Sequence, residues 1–219
     1  MASDIWKSYW PIFERLEAEL CELTFSIAFT DSHLGVHSSR LADLLLRVGS
    51  ECENVGKSLC ADKNLLPAGT RIDRLTFPDV GNAIAQRISI RAKELGIIWP
   101  YQSFTVAAVR PFGVWQPTAS TNPDWFKAYN SLKHNRIDNA SKANVHNVTW
   151  ALGGLFVLNL WLREAEITQH SEPFNLAQSR ILSYSQFFSP ANFLKLDSRD
   201  GLSGSMSGGN LRSLVFEWA

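Results

Sequence analysis

Ala151-Leu-Gly-Gly-Leu-Phe-Val-Leu-Asn-Leu-Trp-Leu162 is apolar on every side of a helical wheel, with Asn159 its one polar side chain. A helix at a protein surface needs a single apolar stripe, whereas one that is apolar all round has to be enclosed by others. The segment therefore predicts a central, fully packed helix, read from about Ser141 to Ala165. Its apolar run, Trp150 to Leu162, is shorter than the roughly 20 residues that cross a bilayer, so no membrane span is expected. Gly153-Gly154 predicts close approach of a neighbouring backbone at that level, at some cost in helix propensity.

Partners for such a helix are visible along the chain. Trp6, Trp10, Phe13, Leu16 and Leu20 recur three or four apart, which predicts a helix in the first 23 residues, kinked or started by Pro11. After a loop over Thr24 to His37, Ser38 or Ser39 is placed to cap a long helix that reaches about Ala61. Its core stripe is Leu41, Leu44, Leu45, Val48, Cys52, Val55 and Leu59. Arg47 and Glu51 flank that stripe at i,i+4 spacing, while Glu53 and Lys57 lie nearly opposite it. A third helix is expected from Phe77 to Leu95, with Pro78 and Asp79 in its first turn and Gly96 after its end.

Pro100, Pro111 and Pro117 interrupt Ile97 to Thr121, where an irregular excursion or short β-hairpin around Arg110-Pro111-Phe112-Gly113 is expected. A helix then starts at Asn122 or Asp124 and is read as separate from, or continuous with, the central one. Leu176 to Phe188 is a further helical candidate. The fold class expected is mainly α, a bundle of about four to five helices forming one domain over residues 1–196. Residues 197–219 are expected to form a flexible Gly/Ser-rich tail whose apolar end, Leu211 to Trp218, docks back or binds something else.

Composition narrows the function classes. Lys plus Arg and Asp plus Glu are both 21, so no bulk positive field attracts nucleic acid and any such contact has to be local. Cys21, Cys52 and Cys60 show no metal spacing, which fits reduced thiols in a cytoplasmic protein. No signal peptide is visible before Pro11. His33-x-x-x-His37 has zinc-compatible spacing but falls in a predicted loop without a third ligand, so no metal or cofactor is expected.

The chemistry-bearing stretch is Asp124-Trp-Phe-Lys-Ala-Tyr-Asn-Ser-Leu-Lys-His-Asn-Arg136. As a helix it separates Trp125, Phe126, Tyr129 and Leu132 from Lys127, Asn130 and His134 on the opposite side. An amide and an imidazole one turn apart, with a cation one turn earlier, suit a phosphodiester. A histidine acts as acid or base near neutral pH, cations offset phosphate charge, and the amide orients it. An ordinary solvated face is the plain alternative. Lys133, Arg136 and, from the earlier helix, Arg47 and Glu51 complete the candidate set, with Glu51 either paired to Arg47 or reaching across to Arg136 or Lys133.

Asn130-x-x-x-His134 resembles the second half of the signature of HEPN-domain proteins, α-helical bundles of prokaryotic toxins and antiphage defence systems. Glu53-x-x-x-Lys57 is similar to an acidic-basic pair in many of them. A Leu-Leu-Arg-Val-Gly-Ser-Glu helix followed by Trp-x-x-x-Tyr-Asn-x-x-Lys-His-x-Arg looks like uncharacterised bacterial HEPN-like proteins, over about residues 38–165. The resemblance implies a metal-independent endoribonuclease in which His134 is the acid or base at a homodimer cleft, with RNA as substrate and a cognate defence or antitoxin protein as partner. One departure is plain: Tyr129 stands where the ribonuclease signature has arginine, and Arg136 follows His134 rather than preceding it. A cation from Lys127, Lys133 or a second subunit is then required for cleavage. Three readings stay open: nuclease, non-catalytic module binding a nucleotide, RNA or protein, and structural bundle.

Overall fold

The computed structural model describes residues 4–88, 90–97, 102–103, 109–163, 185 and 188–189. It is mainly α. Five helices, α1 (Trp6–Leu23), α2 (Ser39–Asp62), α3 (Phe77–Ala85), α4 (Asp124–His134) and α5 (Val145–Leu162), enclose one core. Two pairs of two-residue strands fasten distant loops. β1 (Phe29–Thr30) runs parallel to β3 (Gln102–Ser103), and β2 (Gly96–Ile97) runs antiparallel to β4 (Phe188–Ser189).

α5 is the enclosed helix that its composition requires: every residue from Ala151 to Leu162 is buried. α1, α2 and α4 all pack on it. The predicted core residues Leu41, Leu44, Leu45, Val48, Val55, Leu152, Leu155 and Phe156 are at most 1% exposed. Cys52 Sγ of α2 points to Ala151 O of α5 at 3.6 Å, and Asn159 Nδ2 donates back to Leu155 O at 2.9 Å. Gly153 and Gly154 admit side chains rather than a backbone. A Cβ on Gly153 would lie 3.2 Å from Leu95 and Val109, and one on Gly154 would lie 3.1 Å from Phe112.

Local signals place most boundaries. Ser38, in extended backbone, accepts from Leu41 N at 3.2 Å and so begins α2. Thr76 and Asp79 form a reciprocal capping box at the start of α3. Pro11 lies within α1, five residues after its start, with its ring on the exposed side.

Three expected boundaries move, and the open question of whether α4 continues into α5 is decided. α3 stops at Ala85 rather than Leu95, because Ile88 and Ile90 are both buried and two residues on a helix point nearly opposite ways. The chain bends through a 3-10 turn at Ile90–Ala92 so that both face inward. α4 and α5 are separate helices, and α5 begins at Val145 rather than Ser141. Asn135 leaves the helix in extended backbone, Asn139 Nδ2 donates to the carbonyls of Ser131 and Asn135, and Asn144 caps α5 by accepting from Asn147 N. Of 97–121, where an irregular excursion or a short hairpin is expected, residues 98–101 and 104–108 lie outside the described residues, and Val109 pairs antiparallel with Leu95 as an isolated bridge. Arg110 to Gly113 enters a turn held by Phe112 stacking on Trp115 at 4.1 Å and by Trp125 Nε1 donating to Pro111 O at 2.8 Å. Phe188, the expected end of a helix, is in β4, while the rest of that segment apart from Ser185 and the 197–219 tail lie outside the described residues.

Candidate functional site

α4 carries the site, and aromatic packing sets its orientation. Trp125, Phe126, Tyr129 and Leu132 are buried, as the wheel predicts. Phe126 stacks on Phe77 of α3 at 3.9 Å, and Trp125 meets Phe77 edge-on at 5.7 Å. The Tyr129 ring lies over Gly49 of α2, where any Cβ would overlap it. With that face fixed, the opposite one is forced outward: Lys127 and His134 are exposed and Asn130 is half-buried.

Around Tyr129 the polar atoms are mutually satisfied. Its hydroxyl donates to Glu53 Oε2 at 3.0 Å and accepts from Lys133 Nζ at 3.3 Å, while Lys133 also stands 3.7 Å from the Glu53 carboxylate. Burial, reinforced by the Glu53 charge, pushes the Tyr129 phenol above its ordinary range, against the pull of Lys133. The bond to Tyr129 raises the Lys133 ammonium in turn. This triad fastens α4 to α2.

Three of the candidates do not join it. Arg136 lies beyond the end of α4 and pairs with Asp43 at 2.8 Å, with a bond to Ser39 O at 3.3 Å, rather than leaning on the aromatic stripe or reaching Glu51. Arg47 pairs with Glu19 of α1, not with Glu51. Glu51 bonds only Asn54 among described residues, and burial raises its carboxyl. The reason is angular: Arg47 and Glu51 lie more than about 100° round α2 from Glu53, on the side that faces α1.

The acid that reaches across to α4 is therefore Glu53. Its signal was the second stripe of α2, Ala42, Gly49, Glu53, Gly56 and Cys60, which centres about 100° from the aliphatic stripe with Glu53 on its far edge. All but Glu53 are buried, and Val80 of α3 fills the place beside Gly56 as Tyr129 does beside Gly49. A stripe of small residues does not register as hydrophobic, so helical spacing alone gives Glu53 no partner.

What α4 offers outward is Asn130 and His134, neither with a polar partner among the described residues. Lys142, from the 3-10 turn Ala140–Lys142, folds back to donate to Ser131 Oγ at 2.9 Å, and Lys127 rests on Asp124 at 2.8 Å. Imidazole and amide thus stand without polar partners among the described residues on the face that also carries Lys127, while Lys142 reaches Ser131 of the same helix. That set can hold a phosphate. His33 Nδ1 is bonded to Thr30 Oγ1 at 2.7 Å, and His37 is exposed in a segment whose backbone bridges to Asn144. Among the described residues no group of three metal-ligating side chains occurs. No family model, curated protein or solved structure matches the chain.

Proposed function

We propose that this is a HEPN-like helical module of bacterial stress or phage defence that binds the phosphates of single-stranded RNA or a nucleotide on the outer face of α4. The observation that carries the reading is the pair Asn130 and His134, one turn apart and without polar partners among the described residues, on a helix that also carries Lys127 and is met by Lys142 at Ser131. Binding fits the geometry better than cleavage. Position 129, where the ribonuclease signature has arginine, holds a tyrosine packed on Gly49, and Arg136 is engaged with Asp43. Among the described residues the guanidinium nearest in sequence to His134, that of Arg136, is thus already paired.

A metal-independent ribonuclease is the second reading. The same exposure of His134 favours it, since two copies meeting at a homodimer cleft bring one acid and one base. Fluorescence anisotropy of a labelled single-stranded RNA tests the proposal. Affinity should fall as salt rises, and His134→Ala and Asn130→Ala should each weaken binding by roughly tenfold, the equivalent of about one charge-assisted hydrogen bond. Absence of binding at low salt, or full affinity in the double variant, overturns it. Cleavage that survives EDTA and is lost in His134→Ala moves the conclusion to the nuclease.

A further inference from the structure

The chain that leaves α4 turns back along it. Asn139 Nδ2 donates to Ser131 O at 3.2 Å and to Asn135 O at 2.7 Å, and Lys142 Nζ donates to Ser131 Oγ at 2.9 Å. Asn135 Nδ2 donates to Asp138 Oδ2 at 2.6 Å, and Asp138 N returns a bond to Asn135 Oδ1 at 3.3 Å. Arg136 is tied to Asp43 and to Ser39 O of α2. Amid these fastenings Ile137 is 88% exposed, more than any other large apolar side chain among the described residues.

A single exposed aliphatic side chain is ordinary on a protein surface. Two features set this one apart. The polar side chains around it, Asn135, Arg136, Asp138 and Asn139, are all used to hold the turn, so the apolar tip is presented with little left to order on binding. It also follows His134 by three residues, a span of at most about 11 Å of chain.

We propose that Ile137 is a wedge that enters between two bases of the strand whose phosphate lies at Asn130 and His134. The inference rests on the reading of α4 given above and narrows its ligand to a single strand of two or more nucleotides. Isoleucine is among the side chains that insert between base steps, where it exchanges water for two base faces. Opening a base step costs free energy, and the cost is least in a strand that is not paired. A mononucleotide has one base and cannot straddle the side chain. The amide and imidazole of α4 therefore meet the charge that every strand carries, while Ile137 requires neighbouring unpaired bases. An aliphatic side chain has no hydrogen-bonding group, so the wedge favours single strands without reading base identity.

The experiment measures the anisotropy of three labelled ligands with the full chain at low salt: a single-stranded RNA, an RNA duplex and an abasic strand. Ile137→Ser should weaken binding of the single strand by about tenfold, the effect of losing most of one isoleucine side chain's burial. Binding of the duplex and of the abasic strand should not change, and Ile137→Leu should keep the affinity of the parent. A 2-aminopurine in the single strand, whose fluorescence rises on unstacking, should brighten with the parent protein and not with Ile137→Ser. Because the side chain is exposed, both variants should keep the parent's urea midpoint. Equal affinity of the parent and Ile137→Ser for the single strand overturns the inference and leaves the phosphate reading of α4 in place. Equal losses for the single and abasic strands also overturn it, since Ile137 then only shapes the turn. A dimer that dissociates in Ile137→Ser while RNA binding stays intact assigns the tip to a second copy instead. Failure of the parent to bind any of the three ligands removes the reading of α4 and the wedge together.

Discussion

Tyr129 shows how one side chain can be both core and connector. Its ring replaces the Cβ that Gly49 lacks, and its hydroxyl joins Glu53 to Lys133, so the phenol is buried with every polar atom engaged. Because Lys133 and Glu53 hold each other there, the side chains of α4 without a polar partner among the described residues include Asn130 and His134. Glu19 plays the matching role between α1 and α2. Its bonds to Arg47, with Arg15 adding to them, hold the carboxyl below the usual carboxylate range against a smaller opposing effect of burial. A depressed folded pKa adds stability above the unfolded value, near pH 4.5, and that stability is lost as pH falls through the folded value. Arg47 is about half exposed, so the contribution is modest. Glu19→Gln should therefore lower the urea midpoint at pH 7, and the gap to the parent should close toward pH 3. A gap that is constant across that range would show that the pair has no linked proton.

Among the elements, α2 is the one whose two faces do different work. The aliphatic line from Leu41 to Leu59 serves the common core, and the small-residue line from Ala42 to Cys60 lets α3 and α4 come close. Gly49→Ala separates the two effects. Helix propensity alone would favour alanine by about 1 kcal/mol. Overlap with the Tyr129 ring should instead make the variant about 1–3 kcal/mol less stable by urea unfolding. Gly35→Ala, where nothing lies within 4 Å of the added carbon, should be near neutral. A stabilised Gly49→Ala would mean that α4 does not sit on α2 as described. α4 was legible as an element because its aromatic residues recur at helical spacing. Its partner on α2 was not, since glycine and alanine leave no hydrophobic mark.

At the scale of the whole molecule, three thiols report on the core. Cys21, Cys52 and Cys60 are all free and buried, and burial pushes the Cys21 and Cys60 thiols up to about 12 and Cys52 well above its ordinary range. Ellman's reagent should find no fast-reacting thiol in the native protein and three in denaturant, with the transition following loss of helical circular dichroism. A fast native thiol would mean that α1 or α2 is loosely packed. The sequence by itself determined the helical class, the enclosure of α5, a serine cap at 38 or 39 and the inward and outward faces of α4. Each of these follows from side chains within one segment, through periodicity or a local hydrogen bond. Only the tertiary structure decided that Glu53 rather than Glu51 meets α4, that Arg47 turns to Glu19 and that Arg136 turns to Asp43. It also decided where α3 ends, since Ile88 and Ile90 can both be buried only by leaving the helix. Pairings between segments depend on which side of each helix its neighbours occupy, and one-dimensional spacing gives the angle of a residue on its own helix but not the position of the next.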